Sequence, residues 1–187
     1  MVKQARSRHT HEQILDAAAA EFARYGYPVA NLQRVADRIG LTKGALYGHF
    51  GSKEQLAEAL VGRLDELLEP PGPPGAPPIA ELRSLTCALA ERIEADVRTN
   101  AALRLVVDEA QAASEEPKFL VEVHKRALDL LSREGLDATC PPGPVADLAV
   151  AVLVGAYYTA PAADRRGLAD RVRGMWDVLT PSVDRRP

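Results

Sequence analysis

Residues 31–56 carry a tight succession of helix-start and helix-stop signals, and no other stretch limits the fold as strongly. Asn31 stands where a helix N-cap should be, because its side chain accepts from a free backbone N–H. Leu32, Val35, Ala36 and Ile39 then recur at helical spacing, and Gly40 supplies the stop. Leu41 bridges to Thr42, the cap of a second helix over Thr42-Lys43-Gly44-Ala45-Leu46-Tyr47-Gly48-His49-Phe50. At about 100° per residue, Lys43, Gly44, Tyr47 and Gly48 fall on one side, and Ala45, Leu46, His49 and Phe50 on the other. One face suits a small core. The opposite face holds a cation, an aromatic hydroxyl and two glycines, so little bulk prevents close approach to a large partner. Two short helices joined by a Gly-containing turn form a helix-turn-helix, whose second helix enters a DNA major groove. Taken alone, residues 31–50 also fit an ordinary helical hairpin inside a bundle.

The flanks extend the pattern. Thr10 with Gln13 predicts a capping box, and Glu12 lies in the first turn, where the helix dipole favours an acid. Ile14, Leu15, Ala18 and Phe22 form the buried stripe of this first helix, and Gly26 ends it after Tyr25. A fourth helix starts after Ser52, with Leu56, Ala59, Leu60, Leu64, Leu67 and Leu68 at helical spacing to about Glu69. Residues 70–78 then hold six prolines in nine positions, which no helix survives, so they read as a semi-extended connector.

Five more helices follow. The first covers about 79–97, with Leu82, Leu85, Leu89, Ile93 and Val97 inward. The second starts near a cap at Asn100 and carries Leu103, Val106, Val107 and Ala110. Ser114-Glu115-Glu116-Pro117 opens the third, with Phe119, Leu120, Val123, Ala127, Leu130 and Leu131, ending at Gly135. After a loop from Thr139 to Pro144, Val145 to Ala160 is apolar nearly all round, as a helix buried on several sides requires. The last helix, about 164–179, shows Leu168, Val172, Met175, Trp176 and Leu179 as one stripe. The expected fold is all-α with about nine helices: a helix-turn-helix domain over 1–56 and a helical bundle over 57–187.

Charge separates the same two regions. Residues 1–56 hold eight Lys/Arg against five acids, whereas the remainder holds 15 against 21. A basic end on an acidic body directs the basic end at phosphate. The basic residues Lys3, Arg6 and Arg8 read as a disordered tail that either follows the DNA or merely solubilises the terminus. No run of 18 or more apolar residues occurs and the N-terminus is polar, so a cytoplasmic protein without membrane contact is expected. Cys87 and Cys140 are too few for a disulfide framework. No metal-ligand spacing, phosphate-cradling Gly loop or Gly-x-Ser-x-Gly turn is present, so no catalytic residue, metal or cofactor is assigned.

Residues 10–56 resemble the DNA-binding domain of the tetracycline-repressor (TetR) family. The resemblance runs through Ile14-Leu15-Asp16-Ala17-Ala18, Phe22 to Tyr27, Val35-Ala36, Gly40 to Tyr47, His49-Phe50 and Ser52 to Leu56. It implies an all-helical homodimeric regulator whose C-terminal domain binds a small molecule. By position it implies DNA contacts from Thr42, Lys43, Gly44, Tyr47, His49 and Lys53, with Gln33 of the preceding helix as a further candidate. Lys43 would reach a base edge or phosphate, Gly44 would let the backbone come close, Tyr47 and His49 would bond phosphate, and Lys53 would clamp the backbone. The wheel, however, turns His49 towards the core. Two departures from the family stand out. Ala30 replaces a common hydroxyl residue, and Gly48 replaces a larger side chain on the reading face, at a cost of about 1 kcal/mol in helix propensity.

The resemblance also implies that the last two helices, about 145–160 and 164–179, pair with a second copy in a four-helix contact. Such a dimer holds two recognition helices about 34 Å apart, or a multiple, to read a palindrome. The effector is an unknown small molecule. Leu103, Arg104, Val107, Phe119, Val123, His124 and Tyr157 are its candidate contacts, with Arg104 and His124 as the orienting polar groups of a mostly apolar pocket. Lys43 to Tyr47 is also similar to the family's γ-butyrolactone receptors, but the sole tryptophan, Trp176, lies on the last helix, so their mid-domain pocket tryptophan has no counterpart. The expected function is a ligand-responsive repressor of a palindromic operator. The alternative is a structural or nucleoid-associated DNA-binding factor with no effector.

Overall fold

The computed structural model describes residues 2–62, 64, 76–132, 141–162 and 164–180. Among these it contains nine α-helices and no strand. They are α1 Val2–Val29, α2 Leu32–Arg38, α3 Lys43–His49, α4 Lys53–Val61, α5 Pro78–Ala95, α6 Val97–Ala113, α7 Lys118–Leu131, α8 Pro142–Thr159 and α9 Leu168–Leu179. Leu67, Leu68, most of the proline-rich run, Gly135, Thr139 and Cys140 lie outside the described residues.

The chain forms two compact units. The first comprises Met1–Glu66, Asp96–Pro117 and Ala162–Asp164, and the second comprises Leu67–Ala95, Lys118–Pro161 and Arg165–Pro187. In the first unit, Ile14, Ala18, Phe22, Leu46, Leu56 and Leu60 close a small core. α6, although it follows the proline-rich run in sequence, packs along α1 and against α4 in this same unit. Arg98 fastens one end of α6, donating to Asp16 Oδ1 at 2.6 Å, Glu12 Oε2 at 2.7 Å and the Glu12 carbonyl at 3.0 Å.

Several expected boundaries moved. α1 begins at Val2, so Arg6 and Arg8 are exposed on a helix and not in a disordered tail. Thr10 is consequently inside the helix: its hydroxyl donates to the Arg6 carbonyl at 3.0 Å and caps nothing. No glycine or proline separates Lys3 from Thr10, so the helix meets no obstacle there. Gly26 does break α1, at φ 72° and ψ 170°, and one further turn runs to Val29. The cap of α6 is Asp96, which accepts from the N–H groups of Arg98 and Thr99, whereas Asn100 lies buried one turn in. An ionised acid is the stronger acceptor at a helix N-terminus.

The second unit is a bundle of α5, α7, α8 and α9. Its largest buried side chain is Trp176, 2 % exposed, whose indole N–H donates to Thr86 Oγ1 at 2.8 Å. Gly167 gives α9 no capping side chain, so Glu94 of α5 substitutes, accepting from the N–H groups of Gly167 at 2.9 Å and Ala169 at 3.1 Å. Buried Arg165 closes the other junction, donating to the Tyr157 carbonyl at 2.7 Å and stacking 3.6 Å over the Tyr157 ring.

α8, expected to be apolar nearly all round, leaves one apolar side open, and α9 departs from the single stripe expected. Leu148, Ala151, Gly155 and Tyr158 are exposed along α8 at spacings of three and four, so they share one side. On α9, Leu168, Val172 and Trp176 point inward as expected, but Met175 and Leu179 are exposed beside Gly174 and Val178. A helix with two apolar stripes buries one in its own unit and leaves the other open.

Candidate nucleic-acid interface

Three consecutive helices are set in place by three short polar caps. Asn31 Oδ1 accepts from Gln33 N–H at 2.8 Å, Thr42 Oγ1 from Ala45 N–H at 3.1 Å, and Ser52 Oγ from Gln55 N–H at 3.2 Å. Between α2 and α3 the chain reverses at Gly40, φ 68°, where any side chain would be strained. The N–H groups of Gly40 and Leu41 return to the carbonyls of Asp37 and Ala36 at 3.2 and 3.0 Å, closing the end of α2. This turn orients α3.

Leu46 is fully buried and Phe50, which stacks on His11 at 4.4 Å, fixes the end of α3. Lys43, Gly44, Tyr47 and Gly48 are exposed as the wheel predicted, and the capping Thr42 is exposed beside them. Ala45, expected on the core side, is exposed with them, because a seven-residue helix anchored mainly by Leu46 buries only a narrow strip. His49 is half-buried. Lys43 and Tyr47 converge on this face, the ammonium 5.9 Å from the ring centroid, and Tyr47 is 42 % exposed. A Cβ built on Gly48 would meet no atom within 4 Å, and one on Gly44 would come only to 4.0 Å from Thr42 Oγ1. Nothing inside the protein therefore demands a glycine at Gly48.

The remaining candidates are engaged with neighbours. Gln33 is exposed, but its side-chain amide donates to Asp37 Oδ1 at 2.7 Å. Lys53, half-buried, holds its ammonium 4.7 Å above the ring of Tyr27, and burial pulls its pKa below the usual lysine value. Tyr27 in turn donates its hydroxyl to Glu54 Oε1 at 2.8 Å. Burial, followed by the Glu54 hydrogen bond, pushes the Tyr27 phenol up to about 12. Glu54 falls below the usual carboxylate range, chiefly because its own backbone N–H donates to it and secondarily through Tyr27.

One supporting residue escaped the sequence reading. Glu21, 1 % exposed, accepts from Asn31 N–H at 3.0 Å and from Arg34 Nε at 2.7 Å, so it anchors the start of α2. Arg34 also lies 4.6 Å over the Tyr25 ring. The available signal was an acid set among Ala17, Ala18, Ala19, Phe22 and Ala23 on an otherwise apolar helix face.

The ligand candidates fall into both units. Leu103, Arg104 and Val107 are on α6 of the first, and Phe119, Val123, His124 and Tyr157 are in the second. All the apolar ones are buried. Arg104 donates to the Ala23 carbonyl at 3.1 Å, and His124 Nε2 lies 2.9 Å from Asp147 Oδ1. Cys87 is half-buried, and burial raises its thiol pKa. Among the described residues no group of three His, Cys, Asp or Glu side chains is placed to hold a metal ion, and no helix is long and apolar enough to cross a membrane.

Residues 14–60 match the family model described as bacterial regulatory proteins, tetR family. The chain is 45% identical over 69 residues to the A-factor receptor protein of Streptomyces griseus, covering 37% of this chain and 25% of that one. It is 32% identical over 116 residues to the HTH-type transcriptional repressor KstR2 of Mycolicibacterium smegmatis, covering 58% and 53%. The matched region thus spans between a quarter and about half of those curated relatives. Among solved structures, CprB of Streptomyces coelicolor superposes with a TM-score of 0.75 at 28% identity, covering 97% of this chain and 93% of that one. CprB in complex with its operator sequence gives 0.73, also at 28% identity, covering 95% and 89%.

Proposed function

This chain belongs to the TetR family, and from that premise we propose that it is a dimeric, ligand-responsive repressor that binds a palindromic operator and is released by a small molecule. The observation that carries the reading is the exposed face of α3, where Lys43 and Tyr47 stand beside two glycines on a helix set by the Thr42 cap and the Gly40 turn. In this reading α3 enters the major groove. Lys43 supplies a base-edge or phosphate contact, and Thr42, Tyr47 and half-buried His49 bond phosphate. Gly44 admits the DNA at close range. Gln33 reaches the flanking backbone after leaving Asp37, and Lys53 reaches it from its seat on the Tyr27 ring. The role is regulatory and not enzymatic.

The dimer forms through the outer faces of α8 and α9, where Leu148 and Tyr158 flank Gly155 on one helix and Met175 and Val178 stand near Gly174 on the other. Apolar side chains around small residues allow two helices to approach closely. The effector acts by binding one arrangement of the dimer better than another, which shifts the population away from the DNA-competent spacing. Similarity to the A-factor receptor makes A-factor the first compound to try.

The test is selection by the purified chain from fragmented genomic DNA of its source, at one fixed moderate salt concentration. The expected result is one or a few palindromes, lost with Tyr47→Ala, which removes only an exposed ring and leaves the melting temperature unchanged. Hundreds of unrelated sites would reject the repressor reading in favour of a structural DNA-binding factor.

A further inference from the structure

The neighbours of α6 on both sides of the chain, α5 and α7, belong to the second unit, whereas α6 itself packs on the head. Besides Arg98 and its apolar packing on α1 and α4, α6 makes polar contacts with the first unit at the break in α1. There Arg104 donates to the Ala23 carbonyl, and Asp108 Oδ2 accepts from Tyr27 N–H at 3.1 Å. The fit is close. A Cβ on Gly26 would lie 2.6 Å from Asp108 Oδ2 and 3.2 Å from Arg104 Nε, and Gly26 has φ 72°. The left-handed backbone favours glycine here, and any side chain would also have to displace the Asp108 carboxylate.

Tyr27 then faces α4. Its hydroxyl holds Glu54 at 2.8 Å, and its ring carries the Lys53 ammonium at 4.7 Å. One residue thus joins an acid of α6 to the lysine at the start of α4. The two interactions on α4 concern consecutive residues, so a shift of the Tyr27 ring displaces both together.

We propose that Tyr27, fixed at its backbone by Asp108, is a positioning residue for Lys53, so that the hold of Lys53 on the DNA backbone depends on the chain Asp108–Tyr27–Glu54/Lys53. The inference rests on the DNA-binding reading above. Asp108 fixes the corner at Gly26, and the ring presents Lys53 at the start of α4. Without the Asp108 carboxylate the corner is released and the lysine loses its platform. α6 also packs directly on α4, and the experiment must separate that route from the one through Tyr27.

The probe is the duplex that the wild-type full-length chain selects, with affinity measured across a salt series. Asp108→Ala is expected to weaken binding about five-fold and to lower the slope of log affinity against log salt by about one, the loss of a single phosphate contact. Tyr27→Phe, which keeps the ring and loses the Glu54 bond, should act in the same direction to a smaller extent. Lys53→Ala should reproduce the slope change, and neither variant should weaken binding further in that background. Arg98→Ala is the control. It cuts an equally direct tie between α6 and α1 and should lower the melting temperature while leaving the slope at the wild-type value.

Melting temperatures that fall for Asp108→Ala and Tyr27→Phe with an unchanged slope would overturn the proposal. So would effects that multiply with Lys53→Ala, which would favour direct packing of α6 on α4. If the wild-type chain selects no duplex, the DNA-binding reading fails and this inference fails with it.

Discussion

The outer face of α3 and the outer faces of α8 and α9 are both open to solvent, but they are built from opposite materials. On α3 the exposed residues are a threonine, a lysine, two glycines, an alanine and a tyrosine whose hydroxyl is available. On α8 and α9 they include Leu148, Tyr158, Met175, Leu179 and Val178, the last 76 % exposed. Exposure alone identifies no partner; the chemistry at the surface does. A cation beside a phenol gains from a phosphate or a base edge, whereas a contiguous apolar strip gains most from a second apolar surface. The α3 face is small and kept flat by glycine. The outer faces of α8 and α9 are apolar, and each includes a glycine, Gly155 or Gly174.

The severest way to break this contrast is Gly155→Arg. A Cβ at Gly155 meets nothing within 4 Å in the single chain, so the substitution spares the monomer fold and places a charge at the centre of the apolar strip. Light scattering should show a monomer, and operator affinity should fall by about 100-fold or more as the second half-site becomes a separate binding event. A variant that remains dimeric would remove the α8–α9 face from the assembly.

Trp176→Ala examines the other side of the same helix. It empties a fully buried site and leaves Thr86 without its indole partner, so chemical denaturation should show a loss of about 3–5 kcal/mol. A loss below about 1 kcal/mol would mean that α9 is not anchored through Trp176.

The smallest effect belongs to Gly48→Ala, and its value lies in its sign. With open space around the new methyl group, thermal stability should rise by up to about 1 kcal/mol while operator affinity falls. A variant improved in both would show that DNA does not approach this part of α3.

What the sequence revealed was largely local. The caps at Asn31 and Thr42, the reversal at Gly40 and the burial of Leu46 each depend on residues a few positions away, so spacing and side-chain chemistry identify them. The misreadings have different causes. Asp96 and Asn100 are both good caps four residues apart, and the choice between them depended on burial of Asn100. Met175 and Trp176 are adjacent apolar residues, and a wheel does not say which of two stripes turns inward. Most hidden were the long-range polar links. Arg98 meets Asp16 across 82 positions, and Asp108 meets Tyr27 across 81, with no trace in either local pattern. For that reason α6 read as part of the C-terminal bundle, and Lys53 read only as a clamp on the DNA backbone, with no sign that its ammonium rests on Tyr27.

Trp176 is the sole tryptophan of the chain and lies wholly inside the second unit. Intrinsic indole emission therefore observes that unit and is silent about the head, whereas helical circular dichroism registers both. Overlaying the two melting curves would show, without any label, whether the DNA-reading end and the bundle lose their structure as one cooperative body or in turn.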